Sequence, residues 1–359
     1  MKKRDRKKFK RQDISITNTE ISDLDDFIDE EVIHERKAEK KLFKKGIKSQ
    51  KSDLNLETGR VIEIFSNYKC LVEWKNNRLI CPISGRLKHL RLNSRNIVAV
   101  GDWVKVDISG ENRIEEICER KNTLIRYTED NFQKEILIAA NIDNVIIMTS
   151  CHNPELNFGI VDRLICAARL ESITPVICIN KIDLAEDLAE IKAEAEFYLK
   201  QGIELIFCSA LEGVGKEELR SVLKDKDSVF VGHSGVGKSS LINILQPGLN
   251  LKVSTTSEIT GKGTHTTTRS KIFKWKFGGN LIDTPGIKTL TLHEESKDEI
   301  KYVFPGMAEI GEKCKFQNCT HTHEIDCAVK NAVEEGEYDQ ERYNSYLRIM
   351  DSFTGVNYE

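Results

Sequence analysis

The chain has 359 residues, 39% of them hydrophobic and 31% charged, with a formal net charge of −3. That composition supplies a core for two or three soluble domains, and no apolar run approaches the roughly 20 residues of a membrane-spanning helix, so no membrane partner is expected. The ten cysteines belong to a chain whose basic start passes into acidic and polar residues, not an apolar signal core, so a reducing, cytoplasmic setting is expected in place of a disulfide framework.

Residues 1–55 cannot build a core. Eight of the first twelve are Lys or Arg, an acidic stretch runs from Asp23 to Glu31, and Lys37, Lys40, Lys41, Lys44, Lys45 and Lys48 recur at helical spacing. A charged, disordered extension is expected, whose lysines either meet a phosphate backbone or keep a linker solvated.

From Thr58 to Ile117 the pattern alternates with period two in runs at 61–65, 70–74 and 104–108, with turn residues at Ser66-Asn67 and Lys75-Asn76-Asn77. This predicts an all-β module. Its length and its Gly101-Asp102-Trp103-Val104 corner fit a five-stranded barrel of the oligonucleotide-binding (OB) type over 56–118. Arg86, Lys88, His89, Arg91 and Arg95 fall in one predicted loop, which either contacts RNA or is simply solvated.

Over 119–290 strands alternate with helices: strands at 144–149, 174–180 and 203–208, helices at 159–170 and 184–200. That order implies a parallel sheet covered on both faces, with ligands at its carboxyl edge. Asn180-Lys181-Ile182-Asp183 ends one strand. One carboxylate accepts both the ring N–H and the exocyclic amine of guanine, a pair adenine lacks, so Asp183 is the expected guanine reader. Asn180 would brace the pocket and meet the base edge, and the Lys181 stem would cover the ring. Ser209 and Ala210 end the next strand, small enough to let N–H groups approach the guanine carbonyl.

The strand at 228–231 then runs into Gly232-His233-Ser234-Gly235-Val236-Gly237-Lys238-Ser239-Ser240, which fits the phosphate-loop pattern G-x-x-x-x-G-K-[ST]. Backbone N–H groups would wrap the phosphates, Lys238 would reach the β and γ groups, and Ser239 would ligate Mg²⁺. The loop 261–268 suggests a segment able to meet Mg²⁺ and the γ-phosphate. The strand at 280–282 enters Asp283-Thr284-Pro285-Gly286, where Asp283 would hold Mg²⁺ and the Gly286 amide would sense the γ-phosphate.

Past residue 291, Cys314, Cys319, His321 and Cys327 are spaced Cys-x4-Cys-x-His-x5-Cys, three thiolates and an imidazole suited to one closed, structural Zn²⁺ site, with His323 as a rival to His321. The other cysteines, Cys70, Cys81, Cys118, Cys151, Cys166, Cys178 and Cys208, read as small core residues. A helix is expected over 337–353.

The base-reading motif precedes the phosphate loop, and the switch segments come last. In this order, with a barrel before and a cysteine cluster after, the chain resembles the circularly permuted GTPases, and among them the RsgA family of small ribosomal subunit biogenesis GTPases. The resemblance spans about 59–353. It implies a multidomain protein: an OB-type barrel, a circularly permuted α/β P-loop GTPase domain over 119–290, and a zinc-binding, α-rich domain over 291–359. Implied too are GTP and GDP as ligands, the small ribosomal subunit and its rRNA as partner, and a monomer. Because Ile287 stands where Ras-like enzymes place a water-orienting glutamine, the resemblance points to His265 as catalytic residue. Thr266 and Thr267 both suit the Mg²⁺-sensing role, with Thr267 chosen. His321 is the family's zinc ligand. A GTP-regulated RNA-binding protein with no tie to the ribosome is the rival reading.

Overall fold

The computed structural model describes residues 54–66, 69–88, 96–127, 135–249, 270–283, 290 and 292–353. Residues 1–53 of the expected N-terminal extension, His89, Arg91, Arg95, His265, Thr266, Thr267 and Gly286 lie outside the described residues. Among the described residues no helix is long and apolar enough to cross a membrane.

The first strands are β1 (Leu56–Ser66), β2 (Lys69–Trp74), β3 (Asn77–Pro82), β4 (Trp103–Asp107) and β5 (Arg113–Ile117). β1 pairs antiparallel with β2 and β4, β2 with β3, and β4 with β5. A parallel bridge between Ile83 and Ile114 closes the ring. Period-two alternation decides which side chains face inward: Val61, Cys70, Val72, Val104, Val106 and Ile114 form a dry interior. Where a basic loop is expected, Gly85–Lys88 makes one helical turn, α1, with Leu87 buried beneath it. Arg86 Nη2 lies 2.6 Å from Glu115 Oε2, so this arginine is engaged on the barrel itself. At the Gly101-Asp102 corner, buried Asp102 accepts from Arg120 Nε at 2.7 Å and Nη2 at 2.8 Å, and from Ala99 N–H at 2.8 Å.

A hairpin of β6 (Thr123–Tyr127) and β7 (Glu135–Ala140) comes next, an element the sequence reading did not anticipate. Then follow β8 (Asn144–Ser150), β9 (Thr174–Asn180), β10 (Glu204–Phe207), β11 (Asp227–Val231), β12 (Lys271–Lys274) and β13 (Asn280–Asp283), in the spatial order β10-β9-β8-β11-β13-β12. All neighbours are parallel except β12 and β13. β8 and β9 are almost wholly buried, which their continuous apolar runs require in a sheet covered on both faces. β12 also pairs with β1 at Glu63 and Lys271, so the barrel and the parallel sheet share one hydrogen-bonded surface. Arg60 of β1 clamps Asp227 at the start of β11 through two bonds, 2.5 and 3.2 Å, with both side chains mostly buried.

The helices covering this sheet are α2 (Phe158–Leu170), α3 (Leu188–Lys200), α4 (Lys216–Leu223) and α5 (Lys238–Leu245). The helix expected from Leu184 begins later. Ile182–Leu184 is a single 3-10 turn, and α3 starts only after Asp187, whose carboxylate accepts from the N–H groups of Ala189 and Glu190. Beyond the sheet lie α6 (Ile300–Val303), α7 (Met307–Gly311), α8 (Ala328–Glu334) and α9 (Gln340–Ser352). One apolar core runs from the α2 side of the sheet into these helices, through Tyr198, Phe304, Met307 and Tyr346. Cys70, Cys81, Cys166, Cys178 and Cys208 are buried as core residues, whereas Cys118 and Cys151 are only half-buried because each stands just beyond a strand end.

Candidate functional site

The carboxyl ends of β9, β10, β11 and β13 gather at one edge of the sheet, and each carries one of the sequence motifs. Gly232 follows β11 with φ 142°, and a Cβ there would meet the Met148 carbonyl oxygen at 2.1 Å. Gly237, at φ 93°, would bring a Cβ within 2.3 Å of Asn180 Nδ2. Both positions therefore demand glycine. Gly235 is also left-handed at φ 86°. Between them His233, Ser234 and Val236 complete a loop that ends at α5, where Lys238, Ser239 and Ser240 form the first turn. Lys238 Nζ donates to the carbonyls of Gly232 and His233 at 2.6 and 2.7 Å, arching over the loop it would share with phosphate.

Asn180, 1% exposed, ties three of the motifs together. Its Nδ2 donates to Val236 O of the phosphate loop at 2.8 Å, and its Oδ1 accepts from Ala210 N–H at 3.1 Å. Lys181 is left-handed, φ 62°, and its amine donates to the Asn153 carbonyl. The Ile182 N–H donates to Cys208 O at 3.2 Å, which sets the 3-10 turn carrying Asp183 against the end of β10. Ser209 Oγ then donates to Asp183 Oδ1 at 2.5 Å and accepts from Glu212 N–H. Among the described residues the second carboxylate oxygen of Asp183 accepts no hydrogen bond. Asp283 ends β13, next to β11 in the sheet, and burial pushes its carboxyl pKa up.

Asn153, which receives Lys181, carried no signal in the sequence. The loop holding it is fixed at the same edge by Cys151 N–H to Asn180 O, 3.0 Å, and Ser150 Oγ to Pro154 O, 2.8 Å.

A second cluster lies in the loop between α7 and α8. Cys314, Cys319, His321 and Cys327 each offer a ligand atom, all within 4.8 Å of one another. His321 Nδ1 is 3.5 Å from Cys314 Sγ and 3.4 Å from Cys327 Sγ, and those two sulfurs are 3.9 Å apart. A tetrahedral ion with metal–sulfur bonds of about 2.3 Å sets its sulfurs about 3.8 Å apart, so the four residues fit one metal ion. Of the two histidines, His321 is 3% exposed among the thiols, while His323 is exposed and hydrogen-bonds Thr322. Glu324 organises the loop, accepting from Thr320 N–H, Thr320 Oγ1 and Thr322 N–H at 2.6, 2.7 and 3.0 Å. Burial raises the Glu324 carboxyl pKa, but these donors override it and hold it at about 2.

A base-reading loop that precedes the phosphate loop on one sheet defines a circularly permuted GTPase. The comparisons agree. A family model described as RsgA GTPase matches residues 117–293. The small ribosomal subunit biogenesis GTPase RsgA of Flavobacterium psychrophilum is 35% identical over 301 residues, 82% of this chain and 92% of that protein. Its namesake from Christiangramia forsetii is 39% identical over 280 residues, covering 76% and 88%. The crystal structure of YjeQ from Thermotoga maritima superposes with a TM-score of 0.68 at 32% identity, covering 84% of this chain and all of that one. That of YloQ, described as a circularly permuted GTPase, gives 0.65 at 29%, covering 85% and 97%. The chain belongs to the RsgA family and is a GTP hydrolase.

Proposed function

We propose that this GTPase acts on the small ribosomal subunit in the cytoplasm, binding through its barrel and zinc modules and coupling GTP hydrolysis to late maturation and to its own release. In this reading the modules are an extension over 1–55, an OB-type barrel over 56–118, a GTPase domain over 119–290 and a zinc domain over 291–359. The observation that carries the reading is the Asn180 junction, where one buried amide fixes the base-reading strand, the Ser209-Ala210 loop and the phosphate loop in a single unit.

In this site Asp183, oriented by Ser209, accepts the two guanine donors, Lys181 covers the ring, and Ile182 and Ala210 shape the pocket. Amides of residues 232–240 and the Lys238 amine hold the phosphates, which polarises the bond to the γ-phosphoryl group as charge develops. Ser239 and Asp283 would hold Mg²⁺. A divalent ion offsets the cost of burying the ionised Asp283 carboxylate, which supports that role. Thr267 and Gly286 would report the γ-phosphate and His265 would orient water. Cys314, Cys319, His321 and Cys327 would hold one structural Zn²⁺.

The test is GTP turnover by the purified protein, alone and with small subunits, large subunits or bulk RNA at equal phosphate concentration. Strong stimulation by small subunits only is expected. Equal stimulation by any RNA, or by none, would overturn the ribosomal part of the reading.

A further inference from the structure

Helix α9 presents two faces to two different sites. Arg342, Ser345, Ile349 and Ser352 recur at helical spacing and turn towards α2. Arg342 Nη1 lies 3.2 Å from Asp162 Oδ2 and donates to Tyr198 OH at 2.6 Å, and that hydroxyl donates to Asp162 Oδ1 at 2.7 Å. Asp162 and Tyr198 are fully buried, and Arg342 is 5% exposed. Arg163 Nη1 donates to Oγ of Ser352, the last residue of α9, at 3.1 Å. The helices pass close together at Gly159, where a Cβ would stand in ordinary contact, 3.5 Å from Ser345 Oγ. The adjoining face of α9 holds the metal cluster, since Tyr343 OH donates to His321 O at 2.9 Å and Tyr346 OH to Thr320 O at 2.6 Å.

The same, N-terminal end of α2 borders the nucleotide edge. Asn157 caps it, accepting from Ile160 N–H, and the loop just before contains Asn153, whose carbonyl receives the Lys181 amine. The segment thus runs without a break from the lysine that would cover guanine to the carbonyls of the zinc loop, and it includes none of the residues 284–289 that follow Asp283. A ligand shifts such an assembly only through contacts that differ between its states. Lys181 supplies them, because the same side chain bonds the α2 loop and borders the base pocket. Interiors this closely packed and charged move as units, not by gradual deformation.

We propose that α9 couples the guanine side of the nucleotide site to the zinc loop through α2, by a route separate from the switch after Asp283. The route responds to the base, so GDP and GTP act alike on it, while the switch reads the γ-phosphate. The proposal rests on the guanine pocket described above.

The experiment is amide hydrogen exchange over 314–327 in the full, zinc-loaded chain, with and without saturating GDP, with GDP and ADP affinities measured on the same samples. GDP is expected to slow exchange there about fivefold or more, the lower end of ordinary allosteric coupling. The double variant Asp162→Asn/Arg342→Met removes both charges together, so no orphaned ion is left in the core. It is expected to keep its GDP affinity and zinc content and to lose the slowing. Arg163→Ala, which touches only the partly exposed end of the joint, is expected to reduce the slowing and serves as the readout if the double variant does not fold. Full slowing in the folded variants, or an unresponsive zinc loop with GDP bound, overturns the coupling. Equal affinity for GDP and ADP would instead overturn the guanine pocket.

Discussion

The Asn180 side chain donates to the Val236 carbonyl at 2.8 Å, joining the strand that ends in the proposed base-reading motif to the proposed phosphate loop. The two motifs are 56 residues apart in the chain. Gly237 is the counterpart of this contact, because any side chain there would occupy the space of the Asn180 amide. The proposed base-reading and phosphate loops are therefore one structural unit.

Replacing Asn180 by Ala should weaken GDP and GTP binding alike. It orphans the half-buried Ala210 N–H and releases the proposed phosphate loop, a cost of about 1–3 kcal/mol. Fluorescent-nucleotide titration should show roughly 5- to 150-fold weaker binding, the equivalent of that range. An unchanged affinity for both nucleotides would remove the brace from the argument.

Asp183→Asn should lower GTP affinity by at least about tenfold, since one of the two acceptors facing guanine becomes a donor. The same change offers a donor to the extra carbonyl of xanthine. Competition between GTP and xanthosine triphosphate should move towards the latter. A variant that still selects GTP as strongly would reassign the reader.

Elemental analysis of the purified chain should find about one zinc per molecule, as four ligands around one centre require. Cys319→Ser, or prolonged chelation, should release it and open 314–327 to protease, because Thr320 and His321 are held between the metal and the tyrosines of α9. Metal content unaffected by Cys319→Ser would exclude that ligand.

Burial pushes the Asp162 carboxyl up to about 6 despite the opposing pull of Arg342 and Tyr198. With the folded value above the ordinary 3.8, the native state binds the extra proton between about pH 4 and 6. This group therefore favours the fold below about pH 4, and that contribution is lost as pH rises through about 6. Denaturant melts should show the stability difference between Asp162→Asn and the natural protein shifting in favour of the variant over that window. A difference independent of pH would mean that Asp162 titrates alike in the folded and unfolded chains.

Local pattern was a good guide wherever a strand is buried on both faces or a motif is short and sterically demanding. The strand expected over 174–180 is Thr174–Asn180, and the helix expected over 159–170 is Phe158–Leu170. The predicted start of α3 was early because apolar and helix-forming residues run on through Leu184, and only the side chain of Asp187 selects where the helix begins. Arg86 looked like part of a free basic loop, since nothing nearby reveals Glu115, its partner 29 residues away. The hairpin of β6 and β7 was missed because its short strands lack the regular alternation that marks the barrel.

Residue type and spacing alone mark the strand ends with glycines where a Cβ cannot fit and with the carboxylate proposed to read guanine, and mark the C-terminal loop with three thiolates and an imidazole suited to a metal ion. Those are local demands, so residue type and spacing record them. Tertiary structure alone decided how the pieces act on one another. The Asn180 bridge, the Arg60 to Asp227 clamp and the buried meeting of Arg342 with Asp162, 180 residues apart, depend on packing across distant segments. No periodicity in the chain encodes such pairings, because each partner by itself reads as an ordinary polar residue.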